Sequence, residues 1–379
     1  MSFLTKSCRF ILNHVEEKSL SEIMKIVDFS IIENIRPDTK KSIAIVMPTI
    51  YAHSGGETSI LRIATYLQGK DYAVNIICYD NDNTVQMENC AKINVNTFNC
   101  SVVKYSDAIK RKYDIVIATN WISVYYAKKI SGYKMYFVQD FEPYFTEVGD
   151  EYCLAKKTYE LGFHILSLGQ WNISQIKKNC VVKSKLDYVN FPYEPTEYPY
   201  KERNYNKYKN RNKFKIVIYT KRVGRRIPVI TQNLVLNTKE ELRKHGIELD
   251  VCFYGLNNID KVIVGKNLGK LSKSELKDLY YSADFGMVAS ITNISLVPME
   301  MISTGLPLIE FEDGSYSHFF DSSTAILTDY SHKTLSKKIL DLINKPEELG
   351  KMNHRARTAI ERFTWSNTCE EFENIINKL

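Results

Sequence analysis

Two series of short apolar runs, separated by one polar tract, constrain what this chain can fold into more than any other feature. SIAIVMP (42–48), AVNIICY (73–79), YDIVIAT (113–119), KMYFVQD (134–140), HILSL (164–168) and LDYVNF (186–191) are strand-like. They alternate with segments of helical period such as GGETSILRIATYL, whose Ile60, Leu61, Ala64 and Leu67 fall on one face. Strict alternation of strand and helix is the pattern of a parallel sheet covered by helices on both sides. A second series starts at FKIVIYT (214–220) and runs through a helix over 228–245, then LDVCFYG, KVIVG, the helix SELKDLYYSA, DFGMVAS, LPLIEF and AILT. Ser272 and Glu275 have capping-box spacing ahead of that helix.

The length fits this division, since 379 residues with 44% apolar content exceed one hydrophobic core of ordinary size. We therefore expect a helical N-terminal extension over 1–41, a Rossmann-like domain over 42–191, a linker over 192–213, a second Rossmann-like domain over 214–362, and a C-terminal helix over 363–379. The linker, PYEPTEYPYKERNYNKYKNRNK, is polar and Tyr-rich, has three prolines and fits neither period. From Lys201 to Arg226 eleven lysines and arginines face one acid, Glu202. This reads as a solvated basic segment or as one attracted to an anionic membrane or polyanion. An aromatic, basic linker without a recognisable nucleic-acid-binding fold does not make a nucleic-acid partner.

Eight cysteines without a CxxC pair, several inside strand-like runs, read as buried thiols and not as disulfides or zinc ligands. No run approaches a membrane span, and charge enters the N-terminal apolar stretch too early for a signal core, so the expected location is the cytoplasm. The net charge of +7 suits an anionic small molecule or surface.

Ligands of open α/β sheets bind beyond the carboxyl ends of the strands. In the second series, one such end is followed by Lys221, Arg222, Arg225 and Arg226, cations placed to neutralise a diphosphate. Another is followed by Thr292 to Val297 and a short helix. Its start offers amides near Ser295, Leu296 and Val297 to a phosphate. Glu300, one turn further in, can reach a hydroxyl pair attached to that phosphate, or can simply favour the helix dipole. In the first series, His53-Ser54-Gly55-Gly56 lies between strand and helix, where glycines allow close backbone approach but a tight turn would explain them equally. Gln139, Asp140 and Glu142 follow one strand and Asn120-Trp121 another. Asp140 and Glu142 can hold ligand hydroxyls or orient an attacking one, and Asn120 and Trp121 can line a ligand, or these residues can cap and pack.

Three stretches carry a family resemblance: DFGMVASITNISLVPMEMISTGLPLI (284–309), YFVQDFEPYFTEVGDEYCLAKKTYELGF (136–163) and NLGKLSKSELKDLYYSADFGMVAS (267–290). Together they resemble retaining GT-B glycosyltransferases of family 4 over roughly 42–362, in particular WsaF-type rhamnosyltransferases of bacterial S-layer and surface-polysaccharide synthesis. The resemblance implies a GT-B fold, two Rossmann-like domains facing a cleft, and a nucleotide-sugar donor, most specifically dTDP-rhamnose. It also implies a glycan or lipid-linked oligosaccharide acceptor at the inner membrane face, with no cofactor and no metal. It implies that Glu300 binds the nucleotide ribose, that Lys221 and Arg226 are the usual basic pair, that Lys270 and Leu271 lie by the phosphates and base, and that Gly55 and Gly56 approach the donor. The family's pattern has two glutamates with seven residues between them, whereas here Thr292 stands at the first position. A sugar-nucleotide epimerase or a non-catalytic partner subunit would share this fold.

Overall fold

The computed structural model describes residues 19–52 and 54–379. It divides into two compact units: the described residues up to Leu168 with Asn172–Val189 and Cys369–Leu379, and a second unit of Gly169–Trp171 with Asn190–Thr368.

The first unit is built on seven parallel strands in the order β3-β2-β1-β4-β5-β6-β7. These are β1 (Ser42–Met47), β2 (Ala73–Cys78), β3 (Ser101–Lys104), β4 (Lys112–Ala118), β5 (Ser131–Val138), β6 (His164–Leu168) and β7 (Leu186–Val189). Central strands of such a sheet are buried on both faces, which is why they read as continuous apolar runs. Ile43 to Met47 and Ile115 to Ala118 are all buried. The helix Gly55–Gln68 turns Ile60, Leu61, Ile63, Ala64 and Leu67 inward at helical spacing.

One polar network crosses three strands of this sheet. His164 is buried, its Nε2 lies 2.9 Å from Asp187 and its Nδ1 lies 3.3 Å from the Tyr133 hydroxyl. The neutral ring satisfies both partners by donating to the carboxylate and accepting from the phenol. Burial holds the His164 pKa below its usual 6.5, against the opposing pull of Asp187. A histidine with a lowered folded-state pKa contributes stability above the unfolded value, and that stability is lost as pH falls through the folded one. Wild-type protein should therefore melt earlier as pH is lowered below about 6.5, and His164→Gln should flatten this slope in thermal melts. Parallel pH slopes for both proteins would place the linkage elsewhere.

The second unit has six parallel strands in the order β10-β9-β8-β11-β12-β13: β8 (Lys213–Tyr219), β9 (Glu248–Tyr254), β10 (Lys266–Asn267), β11 (Phe285–Met287), β12 (Leu308–Phe311) and β13 (Ile326–Thr328). In both units the strand order reverses beside the first strand, between β1 and β4 and again between β8 and β11. Gly286 in β11 keeps the helix Leu296–Ser303 close to the sheet, since a Cβ there would fall 2.5 Å from the Met301 sulfur.

Several expectations change. KVIVG is not a strand; the pairing falls on the next two residues, Lys266 and Asn267, alongside β9. The extension is helical only over 19–24 among its described residues, and 27–41 runs without helix. There Ile32 N–H donates to Leu161 O, and Lys128 binds Asp28 at 2.8 Å. Residues 1–18 lie outside the described residues. The tract 192–213 is an integral part of the second unit, not a solvated connector. Tyr198 and Tyr208 are buried, and Tyr205 donates to Gly305 O at 3.0 Å. Arg203 donates to the carbonyls of Ala283 and Tyr280, and Arg211 grips both oxygens of Asp284 at 2.8 and 3.0 Å. Much of the basic charge read as free is thus spent on local partners. The last helix, Trp365–Asn377, begins in the second unit and ends in the first. In the first unit Phe372 packs on Phe137 and Glu373 accepts from Tyr66 at 3.0 Å.

Candidate functional site

The reversal between β8 and β11 marks the carboxyl edge of the second unit at which ligands of open α/β sheets bind, and two loops flank it. The first leaves β8 at Thr220 and ends in a 3₁₀ turn, Gly224–Arg226. Ile227 then adopts φ +36° ahead of the helix Pro228–Lys244. A β-branched residue in the left-handed region is strained, and such strain gathers where a loop must be held in one path.

This turn sends its four cations to different places. Arg226 is buried, its guanidinium donates to Ala289 O at 3.0 Å, and it lies 5.6 Å from the Tyr219 ring centroid. Arg222 pairs with Asp260 at 2.8 Å. Arg225 is half-buried. Lys221 is exposed, lies 5.9 Å from the Tyr219 ring centroid, and has no salt bridge among the described residues. Lys221 and Arg226, which the resemblance implies as the basic pair, thus have different surroundings. Lys221 is the one presented outward, whereas Arg226 ties the β8 loop to the β11 loop from inside.

The second loop runs from Val288 to the N-cap Ser295 of the helix Leu296–Ser303. Ser295 makes no side-chain cap, and its buried Oγ has no hydrogen-bond partner among the described residues. Helix geometry leaves the amides of Ser295, Leu296 and Val297 without intrahelical acceptors, and Pro298 contributes none. Thr292 and Asn293 are buried in this loop. Glu300 is half-buried one turn in, near the hydroxyls of Tyr254 and Tyr280, which are 2.7 Å apart. Burial raises the pKa of both phenols, and the charge of Glu300 raises them further. Lys270 is exposed and Leu271 half-buried, next to Gly269, whose carbonyl accepts from Gly255 beyond β9 at 2.8 Å. Lys270 therefore shares this carboxyl edge. The capping box of Ser272 with Glu275 is formed.

In the first unit Gly55 and Gly56 open the helix Gly55–Gln68. A Cβ on Gly56 would lie 3.7 Å from the Gln139 side chain, which brings these two sequence-distant residues together. Asn94 pins the preceding loop by donating to Tyr51 O at 2.7 Å and accepting from Ser54 N–H at 3.2 Å. His53 lies outside the described residues. Asp140 is half-buried and accepts the Phe141 amide at 2.9 Å.

Two further residues of the expected site make hydrogen bonds to backbone. Glu142 is buried, and its carboxylate accepts the Trp121 amide at 2.7 Å. That bond satisfies an open N–H at the start of the helix Trp121–Lys128. Asn120 is the N-cap of the same helix, in a reciprocal capping box with Ser123.

Sequence reasoning passed over Glu310, a fully buried acid in β12; the lone carboxylate inside LPLIEF was the available signal. It also passed over Asp80-Asn81-Asp82, an Asp-x-Asp pattern just beyond β2. Asp82 is exposed, and burial raises the pKa of Asp80. Among the described residues no three His, Cys, Asp or Glu side chains form a group suited to a metal ion.

No family model matches the chain. Among curated proteins, the O-antigen biosynthesis protein RfbC of Myxococcus xanthus is 23% identical over 270 residues. The match takes in 66% of this chain and 20% of RfbC, so the chain spans about a fifth of that relative's length. Among solved structures, Anabaena HepE in complex with UDP-glucose superposes with a TM-score of 0.69 at 12% identity, over 89% of this chain and 100% of HepE. TarM gives 0.70 at 10% identity over 90% and 100%. WaaG, a glycosyltransferase involved in lipopolysaccharide biosynthesis, gives 0.61 at 14% over 88% and 99%. These likenesses establish the fold: two parallel-sheet α/β units of the GT-B type.

Proposed function

We propose that this chain is a glycosyltransferase that moves a sugar from a nucleotide diphosphate donor to a bacterial cell-surface glycan. In its sharpest form the reading is rhamnose from dTDP-rhamnose, transferred with retention to a lipid-linked oligosaccharide at the cytoplasmic face of the membrane. The observation that carries it is the β8/β11 reversal, where exposed Lys221, the open helix start at Ser295 to Val297 and the carboxylate of Glu300 occupy one edge. The fold shared with UDP-glucose-bound HepE and the partial match to an O-antigen biosynthesis protein support it.

On this reading the helix-start amides and Lys221 take the diphosphate, and Glu300 accepts from the two ribose hydroxyls. The anomeric carbon–phosphate bond breaks with its electron pair leaving on the nucleotide. The acceptor oxygen bonds to the same face, and its proton passes to a departing phosphate oxygen. The protein supplies alignment and a cationic cradle for the developing charge. In the first unit, Asp140 is the residue proposed to hold an acceptor hydroxyl, and Gln139 lies beside Gly56. Among the described residues no helix is long and apolar enough to cross a membrane.

A second reading, a nucleotide-binding partner subunit without chemistry of its own, is favoured by Thr292 at the position of the family's first glutamate. A donor-hydrolysis screen comparing dTDP-rhamnose with UDP- and GDP-sugars separates the two. The transferase hydrolyses one donor slowly and the others far less, whereas the partner subunit binds nucleotide and hydrolyses none.

A further inference from the structure

Glu310 is an expensive residue for its place. It sits in β12, where all four residues are buried, and it is itself wholly inaccessible. A buried carboxyl group destabilises a core unless its oxygens are satisfied, and a hydrocarbon of similar volume would usually serve stability better. Both oxygens go to one residue of the neighbouring loop: Ser290 N–H donates to one at 3.1 Å and Ser290 Oγ donates to the other at 2.6 Å.

Ser290 is held from its other side as well. Its carbonyl accepts from Ser315 N–H at 2.7 Å and from Ser315 Oγ at 3.2 Å. Gly314 packs so closely that a Cβ would fall 2.5 Å from that carbonyl oxygen. One residue earlier, Ala289 O receives the buried guanidinium of Arg226 at 3.0 Å. Burial pushes the Glu310 carboxyl up to about 8, against the Ser290 bonds and the positive charge of Arg226. Residues 289 and 290 are thus clamped by groups from the β8 loop, β12 and the turn after β12, just where the chain leaves β11 for the helix start at Ser295.

We propose that Glu310 is a positioning residue: through Ser290 it fixes the path of the 290–295 loop, and so presents the amides of Ser295 to Val297 in the geometry that receives an anionic group. This rests on the reading that the helix start takes the donor's phosphate. The clamp explains why a carboxyl group is kept in a strand that hydrocarbon would fill.

The test measures UDP and dTDP binding by calorimetry alongside thermal melts for wild type, Glu310→Gln, Glu310→Leu and Ser290→Ala. Glu310→Leu is expected to stay folded at the assay temperature, the removed buried carboxyl offsetting part of the cost of the two orphaned Ser290 donors, yet to bind nucleotide at least ten-fold more weakly. Glu310→Gln, which can still accept one Ser290 bond, should recover part of that loss. Where Glu310→Leu does not fold, Ser290→Ala removes a single hydroxyl bond and should show the same split at smaller size. Wild-type affinity in folded Glu310→Leu or Ser290→Ala, with only the melting temperature changed, overturns the proposal and leaves the site reading standing. Absence of nucleotide binding in wild type overturns the site reading and the proposal with it.

Discussion

Glu300→Ala is expected to bind nucleotide ten- to a hundred-fold more weakly than wild type while folding normally. On the proposed reading the carboxylate accepts two ribose hydroxyls, and a hydrogen bond to a charged group contributes on the order of 1.5–3 kcal/mol. Glu300 is half-buried, and its charge is felt by the Tyr254 and Tyr280 hydroxyls behind it. A partly desolvated acceptor weakens less in competition with water than a surface one. The neutral Tyr254 and Tyr280 hydroxyls bond to each other without it, so stability should hold while affinity drops. Calorimetric titration with UDP and dTDP reads the effect directly. Unchanged affinity in a folded variant would reject the ribose assignment and leave Glu300 as a residue that merely favours its helix dipole.

The second large effect separates two cations that look alike in sequence. Lys221→Ala should lower turnover by roughly a hundred-fold, the lower end of the scale on which single groups that stabilise developing negative charge act. Its melting temperature should barely move, because the side chain is exposed and has no salt bridge among the described residues. Arg226→Ala should lose stability as well as activity, since it leaves the Ala289 carbonyl without its buried donor and removes the cation that offsets Glu310. Melting curves and donor-turnover rates measured on both variants test the split. Parent-rate turnover in Lys221→Ala would make it an ordinary surface lysine.

The strands that frame the candidate site were legible because a parallel sheet covered on both faces needs unbroken apolar runs, and FKIVIYT and DFGMVAS supply them. Short edge pairings were not. β3 (SVVK) buries two residues and β10 spans two, too few for any period to register. The 192–213 tract misled because its tyrosines bury themselves through irregular turns and a 3₁₀ helix, with no repeat to mark an inward face. At the site, residue types could be read but not their partners. Glu142, Asn120 and Arg226 are all plausible ligand contacts by position. Each is in fact bonded to backbone groups, in two cases far along the chain, and only tertiary structure shows this. Gly56 beside Gln139 is the converse case, two residues read separately that the fold brings together.

The central claim, sugar transfer, is tested most directly by product analysis with donor and acceptor together. The protein is incubated with dTDP-rhamnose or the donor selected by the hydrolysis screen, with and without an oligosaccharide or lipid-linked acceptor, and with EDTA in a parallel series. The account predicts a glycan lengthened by one sugar with its anomeric configuration retained, only slow hydrolysis when acceptor is omitted, and the same yield in EDTA. A donor converted to its isomer, or nucleotide bound tightly with no product from any donor, would contradict it.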